Sequence, residues 1–581
     1  MKYLVTGVIA MTLLTACGQK DKATGEAALA AVEFDVSKLP EVSLRKGDAA
    51  TADQALQALG LAESGIGRLA FENKDVSGEK AVFTNVTLSI PEDTTPSEPL
   101  YSEEEVAELF GYMDYDGDGI ADDGSDMTLE EYGASLNAEE PEGPPPVVKA
   151  AKLEFDGLSF VDGAANFSLM RFSDISMTPV EGSADQSTGK IGSIELVNPS
   201  PETAAWVGSL FGQGEPADFP EGNALSFDRW AVKDVNFNIA DASGTGAFTL
   251  ASVYVDGLKE EKAGKAGISN LVFQFNEAET GDVNVTLDGV GVAGLDYGLI
   301  AAAANSSADP ALVAEALQAD PGNPGFDAAL MKGLKADIVG ASVDMPAFNS
   351  YVGRDAQGRA TKITTDPFTM TVAARDNADG EQFAGALATL GYESLTLSGA
   401  GEQLYDPDAD IVTLPKGKNY WKLNDGFQLD VSAKYAGAKD ISAASTAANL
   451  EADPDAVMDV MLNKLAFHQF EISFDDDGFF NRALNAYAAQ SGEDPANLRA
   501  QISGMMAMAP MAAGSTGIDV AVITELASAL SSFVQDPKTL TISFAPPTPV
   551  TGQAFVDAAS NPSDPAMKLD KAKLGFAASN K

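Results

Sequence analysis

The sequence predicts an α+β protein: elongated, mainly antiparallel β with short covering helices, a helical insertion towards the N-terminal end and a more helical C-terminal third. Three observations predict it. Short segments alternate apolar and polar residues, as half-buried strands do. Gly, Asn, Asp and Pro punctuate them at turn positions. Ala- and Leu-rich pieces of helical length lead directly into several of the strands.

In chain order, strands are expected at residues 81–90 (AVFTNVTLSI), 152–160, 232–239, 248–255, 268–275, 283–290 and 539–544. Helix-like pieces precede strands at 53–61 before 65–73, 201–210 before 227–239, 326–334 before 336–345, 382–390 before 392–399 and 454–465 before 467–474. The spacing is too irregular for a solenoid. It reads as a duplicated α+β unit whose copies extend one long curved sheet with helices on one face. Helices at 479–490 and 495–508 follow, with Asp494 as N-cap and Pro495 in the first helical position. An amphipathic helix then covers 518–533, and the Met-rich residues 505–511 read as gap-filling core.

Composition narrows the chemistry. The 581 residues are 45% hydrophobic, enough for a sizeable core, and carry a formal net charge of −49. That balance argues against nucleic acid as a partner and favours divalent cations. One Cys and one His exclude an intrachain disulfide and a Cys/His zinc site. The sequence holds no G-x-S-x-G, P-loop or dinucleotide fingerprint. Acidic pairs are too common for any two to be picked out as a glycosidase dyad.

Residues 1–16 have a short positive start and an apolar run at 4–14, the pattern of a signal peptide. Leu14-Thr15-Ala16-Cys17-Gly18 resembles the bacterial lipobox, in which the cysteine becomes the acylated first residue of the mature chain. The resemblance implies a membrane partner through lipid on Cys17, held firmly because several acyl chains are buried. Gly18 is not aspartate, which by the familiar sorting analogy points to the outer membrane. Residues 17–31 then read as a flexible lipidated tether. The organisation expected is a β-rich domain over 32–90 with 151–330, an insertion over 91–150, and an α+β domain over 331–581.

The sharpest motif is Asp114-Tyr115-Asp116-Gly117-Asp118-Gly119, the front half of an EF-hand loop. Alternate carboxylates converge on one cation there, and the glycine permits the tight bend. Residues 102–113 read as the preceding helix, with Ser102 and Glu105 as a capping box. Glu131 stands where a bidentate ligand closes the loop. An ordinary loop has about 12 residues; residues 114–131 number 18, with 120–125 (IADDGS) as the excess. Two ligand sets stay open. In one, the insertion bulges out and Asp126 or Met127 supplies the carbonyl. In the other, Asp122 and Asp126 join Asp114, Asp116 and Asp118 in a compact loop of the thrombospondin type 3 style, and Glu131 is optional. Ile120 is a candidate for a backbone ligand. Both sets take Ca2+, and the lack of a second comparable hand points to a structural role.

Three features read as structural. Asp406-Pro407-Asp408-Ala409-Asp410 and Asp475-Asp476-Asp477-Gly478 satisfy ordinary turn chemistry. His468 is expected on a strand face with Phe470, Ile472 and Phe474, partly buried.

Two segments carry a family resemblance. Leu390-Gly391-Tyr392-Glu393-Ser394-Leu395-Thr396-Leu397 runs into Tyr405-Asp406-Pro407-Asp408-Ala409-Asp410, residues 411–414 and Asp425-Gly426-Phe427. Later, Phe474-Asp475-Asp476-Asp477-Gly478-Phe479 precedes the helix pair with Leu498, Arg499 and Gln501. Both resemble periplasmic proteins of the YdgA-like kind, related in style to AsmA-like envelope proteins, over residues 330–575. The resemblance rests on hairpin and helix-pair cadence. It implies a repetitive α+β envelope protein with no active site to carry over and a lipid-handling role.

The expected function is therefore that of a non-enzymatic, calcium-binding lipoprotein of the bacterial cell envelope, lipid-handling or structural, whose partner is lipid or another envelope component. The alternatives are a surface-exposed, calcium-stabilised adhesive lipoprotein and an envelope hydrolase.

Overall fold

In the computed structural model the described residues are 25–89, 128–129, 147–180, 186–212, 217–218, 220, 224–240, 244–277, 281–296, 299, 318–444, 454–512 and 517–581. Among them the dominant feature is one 21-stranded antiparallel sheet. Its strands pair almost wholly in sequence order, because each hairpin turn returns the chain beside the strand it has just left.

The sheet opens with β1 (Leu69–Ala70) and β2 (Asn73–Ser77), both paired to β3 (Lys80–Leu88). It continues through β4 (Val147–Asp156) and, past the small hairpin β5 (Ser159–Val161) and β6 (Ala164–Asn166), through β7 (Leu169–Thr178), β8 (Thr188–Val197) and β9 (Phe227–Ala240). Long strands follow: β10 (Gly244–Leu258), β11 (Lys262–Glu277), β12 (Gly281–Asp296), β13 (Ala328–Ile338), β14 (Ala341–Arg354), β15 (Ala360–Ala374) and β16 (Ser394–Asp406). Next, β17 (Ile411–Leu414) and β18 (Tyr420–Leu423) share the space between β16 and β19 (Phe427–Ala436). Last come β20 (Ala466–Asp476), β21 (Thr539–Phe544), β22 (Val550–Thr551) and β23 (Ala577–Asn580).

The long antiparallel sheet expected from the alternation is present, and the 539–544 strand coincides with β21. Pairing of β12 with β13 carries the ladder without a break past residue 330, where a domain boundary was expected. β3 and β4 are direct antiparallel neighbours, Leu88 opposite Val148, so the segment with the calcium motif connects two adjacent strands.

Apart from α1 (Gly25–Ala31), which lies on strands β12–β14 in mid-sheet, the helices pack towards the two ends of the sheet. α1, α2 (Ala52–Ala58) and α3 (Pro201–Phe211) belong to the N-terminal part. α4 (Ala378–Thr389), α5 (Ala438–Ala444), α6 (Pro454–Lys464), α7 (Phe479–Ser491), α8 (Pro495–Ala512), α9 (Val520–Gln535), α10 (Gly552–Ser560) and α11 (Lys571–Leu574) follow. The cap expected at Asp494 is present, accepting from Ala496 N at 2.7 Å, and Ser200 likewise accepts from Thr203 N at 3.1 Å.

Three expectations need correction. Residues 326–334 are not a helix but fall largely in β13. Their Ala, Leu, Met and Lys favour a helix, yet the neighbouring strands β12 and β14 supply hydrogen-bond partners on both sides, and tertiary context outweighs propensity. The single strand expected over 336–345 is two strand ends, 336–338 in β13 and 341–345 in β14, joined by a turn at Val339 and Gly340. There Val339 sits at φ 42°, held by Arg375 Nη1 and Asn377 Nδ2, which donate to its carbonyl at 3.1 and 3.0 Å. His468 falls at a bulge in β20, where Lys434 faces Gln469 but Tyr435 faces Phe467. The extra residue shifts the alternation, so Phe467 takes the place beside Phe470, ring to ring at 6.5 Å.

Candidate functional site

The physical centre of the molecule is a line of irregularity running across the strands. Pairing lapses at Asn85, Ala151, Asp174, Gly192, Asp234, Ala251, Asn270, Asp288, Gly333 and Pro346, aligned positions on ten successive strands. On alternate strands the residue is left-handed: Asn85 (φ 52°), Asp174 (52°), Asp234 (54°), Asn270 (49°) and Gly333 (64°). Asn and Asp tolerate this region because a short polar side chain bonds locally.

The consequence is a reset of the alternation. Two residues three apart, which in a regular strand point to opposite faces, here share one. Phe83 and Val86, Phe172 and Ile175, Ile191 and Ile194, Val232 and Val235, Leu250 and Val253, and Ile268 and Leu271 all flank the line in this way. Their cross-strand partners match: Val235 faces Leu250 while Val232 faces Val253, and Leu250 faces Leu271 while Val253 faces Ile268. Two parallel apolar rows thus cross the sheet on a single face. Each side chain fully buried there contributes about 1.5–3 kcal/mol.

Towards the N-terminal end this face is capped. Leu56 and Leu59, around α2, and Ala204, Val207 and Phe211 of α3 join Phe83, Leu153 and Phe155 in the largest core cluster. Towards the C-terminal end, Leu387 of α4 packs with Leu395, Leu397, Leu423 and Phe479. Phe533 of α9 meets Phe474 at 5.8 Å and Phe480 at 5.3 Å. Between these blocks the same face is only half-buried: Met331, Leu334, Met345, Phe348, Phe368 and Met370. Phe348, Phe368 and Trp421 form an edge-to-face chain at 5.5 Å per step, and Trp421 is 56% exposed. This half-open apolar trough is the candidate site.

The opposite face is polar, and the chain's own N-terminal segment lies on it. Gly25 sits against Tyr351 and Val352 at the end of β14, and α1 packs on β12–β14. Residues 32–36 then cross β12, β11 and β10. Phe34 lies over Gly267 and Gly289, Tyr254 donates to the Glu33 carbonyl, and Val36 N donates to the buried Ser252 hydroxyl at 3.5 Å. Burial, with Asp256 and Glu33 nearby, pushes the Tyr254 phenol up and keeps it a donor. Further on, Arg229 donates to Pro40 O at 3.0 Å, Asn198 binds Ser43 O and Arg45 N, and Asp48 N reaches Leu158 O at 2.9 Å. The tether expected over 17–31 therefore gives way at Gly25 to a strap, because its Ala-rich end finds a docking surface that no local pattern announces. Along the line of lapses an open groove of about 770 Å³ has a mixed lining, with Asp174, Asp234 and Asn270 beside Ile191, Val235 and Leu250.

Of the sequence-derived site residues, Cys17, Asp114, Asp116, Asp118, Ile120, Asp122, Asp126 and Glu131 all lie outside the described residues, as does the helix expected over 102–113. Among the described residues no group of three metal-ligating side chains comes together. The two weaker acidic segments act as turns. Asp406 accepts from Asp408 N and Ala409 N at 3.1 Å, and Asp476 accepts from Phe480 N at 2.8 Å. Of the methionines expected as core filling, Met506 is half-buried, but Met505, Met508 and Met511 are 62%, 59% and 83% exposed. Leu498 and Ile502, in the first half of α8, pack against α7.

Sequence reasoning missed the line of lapses, although a signal exists. Phe83-Thr84-Asn85-Val86, Phe172-Ser173-Asp174-Ile175, Val232-Lys233-Asp234-Val235 and Ile268-Ser269-Asn270-Leu271 repeat one apolar–polar–Asx–apolar pattern. No described helix is long and apolar enough to cross a membrane. A family model described as an uncharacterized protein matches residues 420–580, from β18 to the end of β23. No curated protein matches the chain.

Proposed function

We propose that this is a non-enzymatic, calcium-binding lipoprotein of the bacterial cell envelope, anchored through Cys17, whose sheet handles lipid along its half-open apolar face. The single observation carrying the reading is the continuity of that face: two apolar rows capped by helices at both ends and left half-buried over Met331, Met345, Phe348 and Phe368. Methionines and phenylalanines suit acyl chains of variable shape, since Met adapts its three torsions to irregular apolar partners. The resemblance of residues 330–575 to AsmA-like envelope proteins and the lipobox at Cys17 point the same way.

Organic extraction and mass spectrometry of the mature chain with Cys17→Ser, purified without detergent, test this. The expected result is a stoichiometric lipid, depleted several-fold by Trp421→Ser, a substitution at an exposed site that spares the core. Recovery of the folded chain with no lipid would leave a structural role and remove lipid handling.

Calcium is tested separately. In Asp116→Ala/Asp118→Ala, titration calorimetry should lose a site with Kd on the order of 10⁻⁴ to 10⁻³ M, while the circular dichroism of the sheet stays unchanged. Equal affinity in the double variant would sink the assignment of the loop.

A further inference from the structure

The sheet ends in an open edge at β23. Among the described residues β21 is the only strand that pairs with it, Ala577 opposite Ser543 and Asn580 opposite Leu540. Lys581 N donates to Thr539 O at 3.1 Å, and Thr539 N donates back to Lys581 O at 3.2 Å. By the alternation of an antiparallel pair, residues 577, 579 and 581 turn their backbone groups towards β21, and Ala578 and Asn580 turn theirs outward. One of these outward groups has an acceptor: Ala578 N donates to Glu525 Oε1 at 3.2 Å. The Ala578 carbonyl and both backbone groups of Asn580 meet no partner among the described residues.

A groove runs beside this edge. Between β23 and α9 lies an open space of about 730 Å³. Ala521, Thr524, Ser528 and Ser532 line it from α9, spaced by three or four along one face of the helix, and their small side chains leave room beside the strand. Both walls are held firmly. Val522 of α9 packs with Leu574 and Phe576, and the Asn580 side chain donates to Ser532 Oγ at 3.3 Å and to the Asp536 carbonyl at 2.8 Å. Among the described lining residues only Glu525 is charged, and Lys571 pairs with it.

Backbone geometry and charge identify the occupant. Outward N–H and C=O groups along an extended chain are matched by another extended chain, which adds a strand and sets alternate side chains against the helix. The Glu525 carboxylate already stands where such a strand would bring a carbonyl. The opposite edge of the sheet is guarded against pairing: β2 carries Lys74 and Asp75, whereas residues 577–580 (AASN) are uncharged. A second copy of the chain is disfavoured, because each copy carries a formal net charge of −49. We propose that the β23 edge and the α9 groove take an extended, uncharged segment of a partner polypeptide as a further strand of the sheet, one of its carbonyls displacing Glu525 from Ala578 N. This docking is independent of the lipid reading above.

A display library of uncharged peptides about eight residues long is selected on the mature chain with Cys17→Ser, and a selected peptide is synthesised with a fluorescent label. Ala578→Pro closes the edge but spares the ladder to β21, because the N–H it removes points outward. Anisotropy titration should show at least about tenfold weaker binding to this variant, with unchanged circular dichroism. Should the variant misfold, N-methylation of alternate peptide amides should produce the same loss on the parent chain, since it removes backbone donors and leaves the side chains. Glu525→Ala deletes the competing acceptor and should tighten binding about threefold or more. Failure to select a binder, equal affinity of parent and Ala578→Pro, or an affinity in Glu525→Ala no higher than the parent's overturns the proposal. So does concentration-dependent dimerisation of the parent, read by light scattering and lost in Ala578→Pro, which would assign the edge to a second copy.

Discussion

Asp234→Val and Asn270→Val should each lower stability by about 2–3 kcal/mol, far more than Asn238→Val on the same sheet. Asp234 and Asn270 hold φ of 54° and 49° in mid-strand, where a β-branched side chain clashes with its own backbone. Forced back to extended geometry, the strand would regain strict alternation, and residues beyond the lapse would exchange faces. Val235, Phe237 and Ile239 are buried, whereas Asn236 and Asn238 are exposed, so a reset lost at Asp234 would turn three apolar side chains outward. The chain accepts the local strain instead. Asn238→Val leaves the backbone at ordinary dihedrals and should stay within about 0.5 kcal/mol of the parent. Denaturant midpoints of the three variants and Asp234→Gly decide the matter. Glycine should be tolerated, since it enters the left-handed region freely. If valine at 234 costs no more than valine at 238, backbone conformation is not what holds the line together.

Gly289→Val is expected to release the strap at a cost of about 3 kcal/mol, from overpacking that only undocking can relieve. A Cβ at Gly289 would stand 2.3 Å from Cδ2 of the Phe34 ring, and one at neighbouring Gly267 would stand 2.7 Å from the Phe34 Cα. The ring cannot slide away freely, because Lys38 and Lys332 bracket it at 5.4 and 5.8 Å. Once Phe34 lifts, the bond from Tyr254 to Glu33 and the contact of Val36 with Ala231 and Tyr254 go with it. Trypsin should then cut at Lys38, Arg45 or Lys46 in a chain whose sheet is otherwise native, and the parent should resist. Phe34→Ala supplies the control. It removes the clash, so the double variant should recover most of the loss, a coupling that independent sites do not show. Unchanged proteolysis in Gly289→Val would mean that the strap is not held through Phe34.

Much of the local structure was legible in the residues. Alternation located β3, β4 in part, β9 to β12 and β21, though not β7, β8, β15 or β19. Asp494 and Pro495 announced the start of α8 because a cap and a fixed φ act within one turn. The Asp-rich turns at 406–410 and 475–478 likewise follow from side chains reaching backbone one to four residues away. The failures share a cause. Residues 326–334 carry helix formers, and only strands β12 and β14, distant in sequence, decide that they pair. Met505, Met508 and Met511 read as core from composition, and only the tertiary arrangement around α8 leaves them exposed.

By itself, then, the sequence determined which segments alternate, where helices begin, and which motifs sit at Cys17 and Asp114–Glu131. Each of these is written within a few residues of where it acts. Tertiary structure alone decided that the strands join in one ladder across residue 330, that ten lapses align into a single line, and that residues 25–48 strap the polar face. Those outcomes depend on register between strands. Register is set by cooperative burial of the two apolar rows across many strands, not by any one segment's own propensities.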